Sequence, residues 1–164
     1  MEAARPATSD DLDRLAQLAE EAVAEQSGER GGAVWSQRET RALPALPSLR
    51  VALGDPDQLV LAGTIDGFTV GYGVVGLETL RNGDVLGVVT DLFVEPEARG
   101  VGVGEALIGQ VLRWCEQHRC VGVDAMALPG NRNTKNFFET FGFTARALIV
   151  HRRLAPEEAS PSDA

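Results

Sequence analysis

The chain has 164 residues, 44% of them hydrophobic, enough for a single core, and its 24 acidic against 15 basic residues give a net charge of −9. That charge argues against a nucleic-acid partner, because binding a phosphate backbone rests on clustered basic side chains. With no run of about 18 apolar residues and no basic-then-apolar leader, the reading is a cytoplasmic protein with no membrane partner, one domain over 1–154 and a disordered acidic tail over 155–164.

Arg5 to Thr8 reads as a short first strand, and Thr8 with Asp11 makes a capping-box-like helix start. Leu12, Leu15, Ala16, Ala19, Ala22 and Val23 give that helix an apolar face, while Glu20, Glu21, Glu25 and Glu29 make its other face and its exit acidic. For any single one of these glutamates a solvated helix face is the favoured reading. Pro44, Pro47 and Pro56 punctuate 33–55, so at most one short helix is assigned around Trp35 and Leu49. Residues 59–65 and 68–77 form a hairpin about Asp66-Gly67, and Asn82-Gly83 marks a second one.

Val85 to Val94 is a β-branched run closed by Pro96. After it come Arg99-Gly100-Val101-Gly102-Val103-Gly104, and then Val103, Ala106, Leu107, Val111, Trp114 and Cys115 at helical spacing. Strand, glycine turn and helix together describe a phosphate cradle: glycines let the backbone approach a ligand, and the first amides of a helix lack internal partners. A strand over 121–128, a short helix and a last strand over 145–154 complete the expected order. Cys115, Cys120, His118 and His151 are too sparse for a structural zinc site, so no metal is expected and both thiols are read as reduced.

Spacing narrows the ligand. A dinucleotide fingerprint would need glycine where Glu105 stands, and a triphosphate loop needs Gly-Lys where the only lysine, Lys135, is far downstream. What remains, R-x-x-G-x-G preceded by Leu92-Phe93-Val94-Glu95-Pro96-Glu97, resembles the acetyl-CoA motif of the GNAT N-acetyltransferase superfamily. Asn131 followed by Phe137-Phe138-Glu139-Thr140-Phe141-Gly142-Phe143 resembles the family's later motif. The likeness covers roughly 58–154 well and the amino-terminal third more loosely. It implies an α/β (α+β) GNAT fold: a mixed, mostly antiparallel, twisted sheet of about six strands with helices on both faces.

The resemblance also implies a chemistry, attack of an acceptor amine on the thioester carbonyl of acetyl-CoA. The backbone of Leu92, Phe93 and Val94 would hold the pantetheine arm like an added strand, and a bulge there would free an amide to polarise the carbonyl. The phosphates would rest on Arg99, Gly100, Val101, Gly102, Val103, Gly104 and Glu105, with Asn131 on the arm's other side and Phe138 in the later motif. An alkyl ammonium of pKa near 10.4 is only about one part in 2,500 neutral at pH 7, an offset of roughly 4.6 kcal/mol, so a base is needed. Positions that carry it in relatives hold Val88, Thr90 and Met126 here. Asp91 is the first candidate, with a strand-end carboxylate capping a bulge as the other reading; Asp124 is the second, with a structural role also open.

Phe138 stands where the family usually keeps a tyrosine acid, and phenylalanine donates no proton. Tyr72, the only tyrosine, is the substitute candidate, against the reading of a packed sheet aromatic. Two function classes follow: an N-acetyltransferase for a small cationic molecule or a peptide amine, and a catalytically weak acetyl-CoA-binding sensor or regulator. Too few residues follow Phe143 for the family's closing hairpin, which motivates a homodimer in which a partner chain completes the acceptor side.

Overall fold

A computed structural model describes residues 1–154; the tail expected over 155–164 lies outside the described residues. The chain divides into two units, Met1–Arg132 and the part from Asn133 onward.

In the first unit the strands β1 (Glu2–Pro6), β2 (Gln58–Ile65), β3 (Phe68–Thr79), β4 (Val85–Val94) and β5 (Gly122–Asp124) form one sheet in that order. Only β4 and β5 run parallel; every other neighbour is antiparallel. The β2–β3 hairpin turns on Asp66 and Gly67, both at positive φ (49° and 85°), which matches the right-handed twist of the flanking strands.

One face of the sheet is covered by α1 (Leu12–Gln26) and α3 (Leu46–Gly54). Leu12, Leu15 and Leu18 of α1 and Leu49 and Ala52 of α3 share a core with Val60, Tyr72, Val74 and Phe93. Each fully buried leucine contributes about 1.5–3 kcal/mol relative to exposure. Asp11 starts the helical run as the capping pattern requires: its carboxylate accepts from the Thr8 amide at 2.8 Å and from both Arg5 Nη atoms at 2.8 and 2.9 Å. The other face carries α4 (Val103–Gln117), seated so closely that a Cβ on Gly63 would lie 2.7 Å from Val103 Cγ1, and one on Gly87 2.5 Å from Cys115 Sγ.

Several expectations need correction. Residues 33–55 contain two helices, α2 (Gly32–Arg38) and α3, because Pro47 sits in the first turn of α3, where its missing N–H costs nothing. The first strand begins earlier, at Glu2, and β5 is three residues long where eight were expected.

The second unit holds most of α5 (Arg132–Thr140). That helix closes with Gly142 at φ 86° and with the Phe143 amide donating to Phe138 O, which brings the Phe138 and Phe143 rings to 5.2 Å. The strand expected over 145–154 is not formed, so the sheet has five strands. Leu148, Ile149 and Val150 are consecutive rather than alternating, all three are exposed, and the segment finds no ladder partner among the described residues.

Candidate functional site

The site begins where β4 and β5 part. Their ladder has three rungs, Leu86 with Gly122, Gly87 with Val123 and Val88 with Asp124. Beyond Val88 the strand runs on to Val94, so its β5-side edge offers backbone donors and acceptors that β5 does not use. On the other edge the register to β3 slips: Val74 pairs with Asp91 and Val75 with Val89, leaving Thr90 as the extra residue. The bulge therefore falls at Thr90, just before the expected segment at Leu92, Phe93 and Val94. Such a bulge redirects side chains and releases an amide from the ladder.

At the far end of β4 the chain turns through Gly100 (φ 82°) and Gly102 (φ 106°) into α4. No side chain caps that helix, and its first bond runs from Ala106 N to Gly102 O, so the amides of Val103, Gly104 and Glu105 precede the internal ladder. With the positive end of the helix dipole beside them, they suit a diphosphate. A Cβ on Gly100 would meet nothing within 4 Å, whereas one on Gly102 would come 3.1 Å from Glu2 Cγ. Val101 is exposed at the turn. Arg99 braces the cradle: Nε donates to Val94 O at 2.8 Å, Nη2 to Glu25 at 2.7 Å, and the guanidinium lies 5.5 Å from the centre of the Phe93 ring. Its charge is thus already partnered within the protein. Asn131 closes a turn, its amide donating to Leu128 O at 3.0 Å.

Asp91 is held differently from a base awaiting a substrate. Its Oδ2 accepts from Tyr72 Oη at 2.8 Å and Arg41 Nε at 3.0 Å; its Oδ1 accepts from Arg41 Nη2 and the Thr90 hydroxyl, each at 2.7 Å. Two donors per oxygen saturate the carboxylate, and its side chain is 5% exposed. This is the bulge-capping arrangement, and removing one partner of such a buried pair costs about 3–5 kcal/mol. Burial works against the Arg41 charge, but the hydrogen bonds and charge of Asp91 more than compensate and lift its pKa. Arg41 Nη1 continues the chain to Ser48 Oγ at 3.0 Å, which donates to Ala45 O at 3.1 Å.

Tyr72 is buried in the core, and burial, together with the Asp91 charge and hydrogen bond, pushes its pKa above the ordinary phenol range. It keeps its proton and directs it at Asp91, as a packed sheet aromatic. Asp124, the last residue of β5, stands at the final rung before the strands separate. Phe138 belongs to the second unit and packs there against Phe137 and Phe143.

Two cavities of about 520 Å³ open in the first unit. One is acidic, bounded by Glu21 and Glu25 of α1 with Glu95 and Glu97 just after β4, around Phe93. Arg14 pairs with Glu95, and Arg99 with Glu25. The other lies between the end of α1 and the 36–43 segment, with Ser27, Ser36, Gln37, Thr40 and Arg41 in its wall. Sequence reasoning marked Glu21 and Glu25 but missed Arg41, one of three arginines in a proline-punctuated stretch with no period to signal a role. Among the described residues no three His, Cys, Asp or Glu side chains group so as to hold a metal ion, and no helix is long and apolar enough to cross a membrane.

The architecture, a mixed sheet split beside a bulged strand that feeds a glycine-opened helix, agrees with comparison to known proteins. The acetyltransferase (GNAT) family model matches residues 15–143, and the chain belongs to that family. It is 35% identical over 65 residues to glucosamine 6-phosphate N-acetyltransferase of Trypanosoma brucei brucei. That match covers 40% of this chain, which spans about two-fifths (42%) of the length of that curated relative. Among solved structures it is similar to AAC(6′)-Iy in complex with a bisubstrate analogue, CoA-S-monomethyl-acetylneamine, with a TM-score of 0.71, 18% identity and coverage of 95% of this chain and 99% of that one. An aminoglycoside acetyltransferase from an uncultured soil metagenomic sample superposes with a TM-score of 0.70 at 18% identity, covering 95% of this chain and 97% of the other. At these identities the structural likeness establishes the fold.

Proposed function

We propose that this acyltransferase moves the acetyl group of acetyl-CoA to the primary amine of a small cationic molecule or a peptide, by direct attack. The observation that carries the reading is the parting of β4 and β5 at Val88, next to the Thr90 bulge and in line with the Gly102 cradle. A pantetheine arm can add to the open edge of Leu92, Phe93 and Val94 while the diphosphate meets the amides of Val103, Gly104 and Glu105. The cleft of Glu21, Glu25, Glu95 and Glu97 supports a cationic acceptor, since a positively charged amine is attracted to it and concentrated beside the site. With Asp91 saturated, we assign proton removal to Asp124 at the mouth of the split. A thiol of pKa near 8.5 favours its protonated form by roughly 2 kcal/mol at pH 7, so water can protonate the departing thiolate without Tyr72. The two free thiols, Cys115 and Cys120, suit a reducing, cytoplasmic setting, and the unpaired run Leu148-Ile149-Val150 supports pairing with a second copy.

The test mixes purified protein and acetyl-CoA with an amine panel (an aliphatic polyamine, sisomicin, glucosamine 6-phosphate and a lysine-bearing peptide) and follows free thiol. Release of coenzyme A above background with at least one amine is expected, falling about 10²-fold in Asp124→Asn. Binding of acetyl-CoA without release by any amine would favour the second reading, a sensor domain, which the absence of an available phenolic acid supports. Sedimentation showing only monomer at micromolar concentration would remove the homodimer.

A further inference from the structure

We propose that Arg41 is a positioning residue for acetyl transfer: through Asp91 it ties the wall of the cavity beside α1 to the bulge of β4, so that both move as one. The inference rests on the proposed reaction. Arg41 lies in the stretch between α2 and α3, lines the cavity of about 520 Å³ that also presents Ser27, Ser36 and Thr40, and is 50 residues away in sequence from the carboxylate it grips. That carboxylate follows Thr90, the residue displaced from the β3 ladder, and the Thr90 hydroxyl is bound to it as well.

The tie is built to be rigid. A planar guanidinium meets both carboxylate oxygens in a fork, which fixes orientation as well as distance. Side-chain exposures of 11% for Arg41 and 5% for Asp91 leave little water to compete. Tyr72, buried in the core, donates to the same Oδ2, and Ser48 carries the chain on into α3. Of the five N–H groups of Arg41, three are occupied by Asp91 and Ser48, which leaves two for the cavity it lines. The ammonium of the acceptor stays with the carboxylates of the acidic cleft, and a neutral oxygen of the same molecule, a hydroxyl or a carbonyl, takes the remaining Arg41 donors, held against a wall in fixed register with the bulge. The thioester carbonyl, placed by the bulge, would then meet the amine at a set distance. Misplacement of about 1 Å in such a pairing is enough to cost about 10²-fold in rate.

The test uses Arg41→Lys, which keeps the charge and loses the fork, and Arg41→Met combined with Asp91→Asn, which removes both charges while Asn still receives Tyr72. With the amine of the panel that turns over fastest, kcat should fall about 10²-fold in both variants, whereas the calorimetric affinity for coenzyme A stays native. Unchanged kcat, or coenzyme A affinity falling in step with kcat, would overturn the proposal, because the pair would then be inert or merely structural. Should Arg41→Lys fail to fold, the uncharged double variant decides by the same readouts. Hydrogen exchange supplies an arm that needs no turnover: peptides covering 39–45 and 88–94 should lose protection together in either variant, with α4 unaffected. Loss confined to 39–45 would refute the tie. A native protein that releases no coenzyme A with any amine sinks the proposed function instead, and the exchange result still judges the tie.

Discussion

Gly102 is the position at which the fold and the cradle both reject an added methyl group. At φ 106° a side chain is strained wherever its Cβ points, and left-handed backbone costs an L-residue about 1–2 kcal/mol. The new Cβ would also stand 3.1 Å from Glu2 Cγ, a flexible side chain that can yield, so backbone strain dominates. For a chain of this size about 1 kcal/mol corresponds to roughly 2–4 °C, so Gly102→Ala should melt about 2–8 °C below the native protein. Relief of the strain means opening the turn and turning the amides of Val103, Gly104 and Glu105 away, so calorimetry should show coenzyme A binding at least about tenfold weaker, or about 1.4 kcal/mol. If Gly102→Ala melts and binds coenzyme A like the native chain, the left-handed turn is not what shapes the cradle.

Other outcomes follow from the same geometry. The Arg5 hydrogen bond, opposed by burial and assisted by the Thr8 amide, holds the Asp11 pKa below the ordinary carboxylate value. Its stabilisation is complete above about pH 4 and is lost as pH falls through the lowered folded value, so Asp11→Asn should melt well below native at pH 7 and approach it at pH 3. Tyr72→Phe removes one of four donors from Asp91 and should cost about 1–3 kcal/mol in urea unfolding, with the calorimetric affinity for coenzyme A preserved; unchanged stability would show that the phenol is not a working donor to Asp91. Gly87→Ala drives a methyl to 2.5 Å from Cys115 Sγ and should destabilise by about 1–3 kcal/mol, much of it recovered when Cys115→Ala is added.

The legible parts of the sequence were those whose signals are local. Asp66-Gly67 announces its hairpin, and Gly102 before a 3.6-residue stripe announces α4, because each needs nothing beyond neighbouring residues. Tertiary partners decided the rest. The 145–154 segment carries strand-forming residues yet makes no strand, since a ladder requires another chain segment alongside. Pro47 looked like a breaker and proved a starter, a distinction that depends on where the preceding turn ends. Asp91 stood out as a carboxylate beside the expected cofactor strand; that it is sealed depends on Arg41, half a hundred residues away and silent in pattern.

The three-rung junction of β4 and β5 sets the mechanical character of the candidate site. Strands β1 to β4 are sewn together along five to nine residue pairs at each seam, whereas β5 hangs by three. Under thermal agitation the sheet therefore gapes first at that hem, with small excursions of local opening free energy there and large ones at the centre. The cleft can therefore widen on one flank while its antiparallel bulk stays shut.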